Sequence, residues 1–444
     1  MILLKNAQII NENKQYKASV LLEDKYIKAI YKENIPNEIL EQSEIINAEG
    51  LLLLPGIIDD QVHFREPGLT HKGNIHSESR AAVAGGVTSF MDMPNTLPQT
   101  TTVENLNEKF DIAKENSFVN YSFFIGATND NIEELKKEGA KRATAVKAFM
   151  GSSTGNMLVD NPETLEKLFS EIEMIIATHC ESEDIIQANK EKYIQEFGED
   201  LDITFHSKIR SEEACYASSS KAVALAKKHN TRLHLFHLST AKEMESLEAT
   251  PLKDKRITGE VCVHHLWFSD KDYARLGNKI KWNPAIKTQE DRDALRKALI
   301  DGKIDVVATD HAPHTWEEKQ GNIFQAASGG PMVQHSLIVM LELCRQGVFT
   351  PELVVEKMAH APAELFNLKN RGYIREGYFA DLVLVNPNQT WTVTKESLLS
   401  KCSWSPLEGE TFSHKIEKTF VNGTLVYDNG KINENYRGEE LKLL

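Results

Sequence analysis

Residues 51–63, LLLLPGIIDDQVH, mark the point at which the hydrophobic pattern of the chain changes. A run of four leucines ends at Pro55 and Gly56, and a second short apolar run follows at 57–59. From this point to residue 310, short apolar runs alternate with longer stretches of helical periodicity. This alternation is typical of parallel strands that are joined by helices.

Eight apolar runs in this region have the length of strands. They lie at 57–59, 88–93, 119–125, 143–150, 174–179, 233–237, 257–264 and 306–310. Helix-like stretches between them include 103–116, 162–172, 211–229 and 290–300. Eight strand-then-helix units in roughly 250 residues is the size of a parallel (β/α)8 barrel. We therefore predict an α/β protein with a TIM-type barrel at 55–367.

Both ends of the chain return to a pattern of strands and turns. Near the start, 19–22 and 26–30 flank a short polar turn, and near the end 380–385 is an apolar run. The segment 419–427 contains Asn422-Gly423, a signal for a type I′ hairpin. We predict that residues 1–54 and 368–444 combine into one small β-sandwich domain beside the barrel.

The composition excludes several classes of partner. The 444 residues include 51 Lys and Arg against 65 Asp and Glu, for a net charge of -14. An acidic surface argues against nonspecific binding to nucleic acid or to anionic membranes. The five cysteines are scattered and form no C-x-x-C pair, which suits a reducing compartment. With no signal-peptide pattern and no membrane-length apolar run, a cytoplasmic protein is expected.

Polar residues of metal-ligand type stand at the ends of the predicted strands. They are His63, Lys147, His179, His237 and Asp310. Barrel active sites form at that face, since the carboxyl ends of the strands converge there. Neutral imidazole is a good zinc ligand, and Asp supplies an anionic oxygen. One such histidine is more often structural, but five such residues on different strands indicate a metal site.

Lys147 is the least ordinary of these residues, because it lies within the apolar run TAVKAFM. An unpaired ammonium in a buried strand costs several kcal/mol. The cost disappears if the amine is neutral, or if it reacts with carbon dioxide to form an anionic carbamate that can bridge two cations. A lysine that reaches solvent from the strand end is the alternative, and the sequence leaves both open.

Four segments carry a family resemblance. They are 55–68 (PGIIDDQVHFREPG), 84–96 with AGGVT and MDMPNT, 308–314 (ATDHAPH) and 405–409 (SPLEG). Together they resemble the dihydroorotase signature of the amidohydrolase superfamily, across nearly the whole chain. The resemblance implies reversible cyclisation of N-carbamoyl-L-aspartate to L-dihydroorotate in pyrimidine biosynthesis.

The resemblance also implies roles for the strand-end residues. Lys147 would bridge two zinc ions as its carbamate, and His179 and His237 would hold the more buried ion. His63 and Asp310 would belong to the exposed ion. Asp310 would act as general base while hydroxide attacks the ring amide, and would then protonate the leaving nitrogen.

This sequence departs from the family pattern at Gln61, where a second histidine is usual. An amide oxygen is a weaker zinc ligand than imidazole. The exposed site is therefore expected to bind metal more weakly, and the count of one or two Zn²⁺ per chain stays open.

Substrate binding is expected from a second set of residues. By resemblance, Arg65, Asn95 and His314 hold the substrate carboxylate, and Asn283 contacts the ring. Arg65 suits this role because guanidinium can fork onto a carboxylate. Gly329 and Gly330 lie in SGGP, where glycine lets the backbone approach a ligand closely.

Two other functions compete with this interpretation. An allantoinase or hydantoinase would have the same fold and metal site, but little use for Arg65. A non-catalytic scaffold homologue would usually have lost several ligands, whereas only Gln61 departs here. A homodimer is expected, and aspartate transcarbamoylase is a candidate partner enzyme.

Overall fold

The computed structural model describes residues 1–151 and 156–444. Its strands are β1 Ile2–Asn11, β2 Lys14–Glu23, β3 Tyr26–Tyr31, β4 Glu44–Asn47, β5 Leu52–Pro55, β6 Ile57–Val62, β7 Val87–Asp92, β8 Asn120–Phe123, β9 Ile125–Gly126, β10 Val146–Met150, β11 Ile176–Cys180, β12 Leu233–Leu235, β13 Ile257–Cys262, β14 Val306–Ala308, β15 Leu382–Asn386, β16 Trp391–Thr392, β17 Thr411–Phe412, β18 Lys415–Val421, β19 Thr424–Asp428 and β20 Lys431–Ile432.

The α-helices are α1 Asn37–Gln42, α2 Ile75–Ala84, α3 Val103–Asn116, α4 Ile132–Leu135, α5 Pro162–Glu171, α6 Glu183–Phe197, α7 His206–Ile209, α8 Glu212–His229, α9 Val263–Trp267, α10 Tyr273–Leu276, α11 Gln289–Ile300, α12 Ser336–Arg345, α13 Pro351–Val355 and α14 Ala361–Leu365. None of the helices in these residues combines the length and the apolar composition needed to cross a bilayer.

The predicted (β/α)8 barrel is confirmed. Strands β6, β7 and β8 form one parallel sheet, and β9 to β14 form a second in chain order. Only Phe124 separates β8 from β9, so the two segments make one barrel strand. The barrel closes where Val62 bridges His311 in parallel. Each of the eight predicted strands overlaps an observed strand.

The helices that join the strands begin at local sequence signals. For example, α5 starts where the side chain of Asn161 accepts the N–H groups of Glu163 and Thr164, with Pro162 at the first position. Its Leu165, Leu168 and Phe169 side chains form the buried face. The repeat of three and four residues therefore turns one side of the helix toward the barrel.

Several observed strands are shorter than predicted, and one of them is followed directly by a helix. Strand β13 ends at Cys262, and the next residues form the helix α9 instead of continuing to His264. A short apolar run does not distinguish a strand from a buried helix by periodicity alone. His264 and His265 are consequently helical residues.

The two chain ends combine in one nine-stranded sheet. Its order is β20-β19-β18-β15-β5-β1-β2-β3, and β4 also pairs with β1. Strand β5 joins the ends, since it pairs in parallel with β1 and antiparallel with β15. The prediction that both ends build one β domain beside the barrel is confirmed, while its limits at 54 and 368 stay a prediction.

The Asn-Gly turn signal also has the expected geometry. Val421 pairs with Thr424, and the two turn residues have φ angles of 47° at Asn422 and 75° at Gly423. Both angles are positive, as a type I′ turn requires. A Cβ atom at Gly423 would lie 2.0 Å from the carbonyl oxygen of Asp24, so the turn packs tightly against the β2–β3 hairpin.

We predict that Gly423→Ala lowers the free energy of unfolding by at least ~1 kcal/mol more than Gly430→Ala does. Gly430 is a matched control, because it ends a second Asn-Gly turn with φ 91°, and a Cβ atom there would have no neighbour within 4 Å. Denaturant unfolding of the two variants measures the difference. Equal losses would show that the contact with Asp24 does not constrain the turn.

Candidate active site

The carboxyl ends of the barrel strands surround a cavity of about 520 Å³. The residues selected from the sequence that line it are Gln61, His63, Arg65, Asn95, Lys147, His179, His237, Asn283, Asp310, His314 and Gly329. A larger groove of about 750 Å³ lies near the first residues of β11, β12 and β13 and is lined by other residues. The smaller cavity is the candidate site, because it gathers the groups that can do chemistry.

Two histidines face each other at the ends of β11 and β12. His179 Nδ1 lies 2.9 Å from His237 Nε2, and His179 Nε2 lies 2.9 Å from a carboxylate oxygen of Glu181. Since a carboxylate accepts, His179 carries its proton on Nε2 and turns a lone pair toward His237. Burial lowers the pKa of both imidazoles, so they are neutral, as metal ligands must be.

Glu181 holds His179 in this orientation. Its carboxylate is completely buried and also accepts a bond of 2.5 Å from Arg210. Burial alone would raise the pKa of Glu181, but Arg210 and His179 hold it at about 2. A histidine ligand is commonly oriented in this way by a second carboxylate. Glu181 was not selected from the sequence, although it stands two residues after His179.

Lys147 is the second residue of β10, not a strand-end residue as expected, and its side chain is buried at 1% exposure. Its amine nitrogen lies 4.1 Å from the ring centroid of Phe236 and 4.9 Å from that of Phe149. Burial lowers the pKa of Lys147 to about 8, although the carboxylates of Asp310 and Glu260 oppose the shift. A substantial fraction of the amine is therefore neutral and nucleophilic near that pH.

His63 and Asp310 form a second pair across the barrel closure. His63 Nε2 lies 3.0 Å from Asp310 Oδ1, and His63 Nδ1 lies 2.8 Å from Asn95 Oδ1. The amide oxygen of Asn95 accepts from Nδ1, so Nε2 is the ring nitrogen that is directed at the carboxylate of Asp310. Asn95 thus orients His63, and its predicted contact with a substrate carboxylate stays a prediction.

These contacts fit a metal centre. An imidazole nitrogen at hydrogen-bond distance from a carboxylate oxygen implies that a proton or a cation lies between the two atoms. Likewise, the ring nitrogens of His179 and His237 that face each other are ligand atoms of the kind that zinc prefers. The imidazoles and the carboxylate of Asp310 are side chains of the kind that bind divalent metal ions.

Gln61 lines the cavity, and its side-chain oxygen accepts from the thiol of Cys262 at 3.6 Å. Two buried groups outside the predicted ligand set have metal-ligand atoms within 4.8 Å of one another. They are Asp60 with His234 and Glu260, and Cys262 with His264 and His265. Asp60 and Glu260 were not selected from the sequence, because single carboxylates in strands give no spacing signal.

A positively charged wall lies beside the metal-ligand residues. Arg65 donates from Nε to Pro313 O at 3.0 Å, and its Nη2 lies 3.0 Å from His314 Nε2. The ammonium of Lys72 lies 3.1 Å from the other ring nitrogen of His314. Burial and these two cations lower the pKa of His314, so the ring is neutral. Lys72 was not selected from the sequence.

The loop at 328–331, which we call the glycine loop, differs in part from the expectation that Gly329 and Gly330 bring backbone close to a ligand. Gly329 lines the cavity, but its N–H donates to Lys281 O at 2.8 Å and is not directed at a ligand. Gly330 is the selected residue that lies outside the cavity lining of the described residues. A Cβ there would come within 3.0 Å of Trp282 and Trp404, so glycine is required for packing.

Backbone conformation places three of the selected side chains. Arg65, His237 and Asp310 have positive φ angles of 71°, 38° and 44°. Non-glycine residues in this region are uncommon and cost about 1–2 kcal/mol each. Such strain clusters at functional sites, where it redirects a side chain as the strand ends.

Comparisons with known proteins agree with this geometry. Residues 52–426 match the amidohydrolase family. A dihydroorotase of Methanosarcina acetivorans is 34% identical over 99% of this chain and 95% of its own length. An allantoinase of Bacillus velezensis is 31% identical over 97% of this chain and 94% of its own length. The solved L-hydantoinase (dihydropyrimidinase) of Arthrobacter aurescens covers 99% of both chains, with a TM-score of 0.93 and 26% identity.

The chain therefore belongs to the amidohydrolase family, and the resemblance found in the sequence is confirmed. Within that family it is an enzyme that hydrolyses cyclic amide bonds. Relatives of two substrate types have similar sequence identity to this chain, so identity alone does not assign the ring that it opens.

We predict that Glu181→Gln weakens zinc binding about 10–100-fold, because the amide no longer fixes the His179 proton on Nε2. Competition with a chelator of known affinity measures the change. Glu166→Gln is the matched control, since Glu166 also accepts from a histidine, His229, at 2.6 Å but on the surface. Equal zinc affinity in both variants would contradict the role of Glu181.

Proposed function

We propose that the protein is a zinc-dependent dihydroorotase that interconverts N-carbamoyl-L-aspartate and L-dihydroorotate in pyrimidine biosynthesis. The observation that carries the proposal is the positioning of Arg65 and His314 in the same cavity as Asp310 and the histidine pairs. Dihydroorotate has both a hydrolysable ring amide and a carboxylate. A cavity with a guanidinium beside a metal-ligand set matches both features.

In the proposed reaction, side chains of the protein bind and orient the substrate and transfer protons to and from it. Arg65 and His314 hold the substrate carboxylate, and Asn283, whose side-chain oxygen is buried without a partner among the described residues, is available for the ring. Asp310 takes the proton of the attacking water and delivers it to the ring nitrogen as the C–N bond breaks. In ring closure the same carboxylate acts in the opposite order.

His179 and His237 with Lys147 would hold one zinc ion, and His63 with Asp310 would contribute to a second. Bound zinc lowers the pKa of a coordinated water toward ~7 and polarises the amide carbonyl. The neutral fraction of the Lys147 amine supports its conversion to the carbamate. Because Gln61 faces Cys262, occupancy of the second position is expected to be lower.

Hydrolysis of allantoin or hydantoins is the second candidate. The allantoinase similarity and the L-hydantoinase structure favour it. Those substrates have no carboxylate, so they would leave Arg65, Lys72 and His314 without an anion to bind. A scaffold role has little support, because the proposed ligands and Asp310 are all present. A homodimer, a cytoplasmic location and association with aspartate transcarbamoylase remain part of the proposal.

We predict that Asp310→Asn lowers kcat for dihydroorotate by about 10²–10⁴-fold, because an amide cannot take the proton. Steady-state ultraviolet assay measures kcat, and zinc analysis checks the metal. Asp305→Asn is the control, since Asp305 precedes the same strand, pairs with Lys255 at 2.8 Å and lies outside the cavity. Near wild-type kcat in the Asp310 variant would refute the assignment.

We predict that Arg65→Met reduces kcat/KM for dihydroorotate by the equivalent of about 2–5 kcal/mol, through loss of a desolvated charge-assisted contact. The wild type and the variant are compared on dihydroorotate, hydantoin and allantoin. The proposed function requires that the wild type prefers dihydroorotate. It also requires that Arg65→Met lowers kcat/KM for dihydroorotate and not for hydantoin or allantoin. A wild-type preference for either uncharged ring would establish the second candidate instead.

A further inference from the structure

Lys319 is a buried lysine behind the cavity wall. It is 1% exposed, and its amine nitrogen contacts three backbone carbonyl oxygens. They belong to Ala327 at 2.7 Å, Gly329 at 2.8 Å and Lys281 at 3.3 Å. The ammonium of Lys281 in turn donates to Ile323 at 2.5 Å and to Ala326. Two buried amines therefore hold the segment that leads into the glycine loop.

The number of acceptors around Lys319 matches the number of donors of an ammonium group. An ammonium has three N–H donors, one for each carbonyl oxygen. A neutral amine has two donors and a lone pair, which would face an oxygen. Burial, with the nearby Lys281 and Arg65 cations, lowers the pKa of Lys319, while the three carbonyl dipoles favour the charged form. The geometry corresponds to the charged form.

The contacts with Lys319 set the direction of the loop peptides. A planar trans peptide puts its N–H on the side opposite to its C=O. Because Ala327 O faces Lys319, the N–H of Ser328 points away from it. The next carbonyl, Ser328 O, accepts from His314 Nε2 at 3.0 Å. Ser328 and Gly329 both line the cavity, so Lys319 lies one peptide layer behind the wall that contains His314.

The charge of Lys319 adds to a cluster of cations. Arg65, Lys72 and Lys319 each act electrostatically on the neutral ring of His314. Of these, Lys72 is paired with Glu318 at 3.0 Å. Like charges in a low-dielectric region repel one another, and a bound anion relieves the repulsion. The cluster thus favours an anionic ligand beyond what Arg65 alone contributes.

We propose that Lys319 is a positioning and specificity residue, which makes the cavity selective for ring substrates that carry a carboxylate. It holds the Ala327–Gly329 backbone against His314, and its charge stabilises the anion through one peptide layer. The inference rests on the proposed function, because it concerns how that site recognises the dihydroorotate carboxylate.

The test is kinetic and uses the full-length zinc enzyme. Lys319→Met keeps the length of the side chain but removes its charge and donors. We expect KM for dihydroorotate to rise about tenfold or more, with kcat within about threefold and the zinc content unchanged. Lys319→Arg keeps the charge, so its KM should lie between that of Lys319→Met and that of the wild type. Lys357→Met is the control for loss of a buried lysine, since Lys357 is 5% exposed and lies outside the cavity.

The outcomes separate the two claims. An unchanged KM in Lys319→Met, or a loss in kcat and zinc without a change in KM, would overturn the role of Lys319. If the methionine variant does not fold, Lys319→Gln keeps two N–H donors without the charge, and the same rise in KM is required of it. A wild-type enzyme that does not turn over dihydroorotate would contradict the proposed function instead.

Discussion

Closure of the barrel between β6 and β14 brings the two halves of the candidate site together. The N–H of His63 donates to His311 O at 2.7 Å, and the hydroxyl of Thr309 donates to Asp59 at 2.6 Å. These bonds hold the last strand beside the first. As a result, His63 and Asp310, which are 247 residues apart in the chain, come within 3.0 Å. Without closure, the two halves would lie on separate sheet edges.

The barrel contains several local features that lower its stability. Three cavity residues have left-handed backbone, and Glu181, Lys147 and Lys319 are buried ionisable groups. Glu181 is compensated by Arg210, and Lys319 by three carbonyl oxygens. The free energy gained by a large apolar core can offset these local costs in stability, and such costs concentrate at functional sites.

The C-terminal segment also supports the cavity from behind. The indole N–H of Trp404 donates to His314 O at 2.7 Å, and its ring occupies the space beside Gly330. Ser400 donates to Glu78, which accepts from His311 at the barrel closure. The family motif at 405–409 follows this segment directly. The tail is thus connected both to the cavity wall at His314 and to the closure of the barrel.

The barrel, the pairing of the chain ends and the identity of the strand-end residues could all be predicted from the sequence. Those features follow from periodicity and from turn chemistry, which are local properties of the chain. The same patterns do not reveal that β13 stops at Cys262, that Gln61 faces Cys262, or that Glu181, Lys72 and Lys319 contact His179, His314 and Gly329. Only the tertiary structure decides these features, because they depend on contacts between residues far apart in sequence. A lone charged residue also shows no sequence spacing that would reveal its partner.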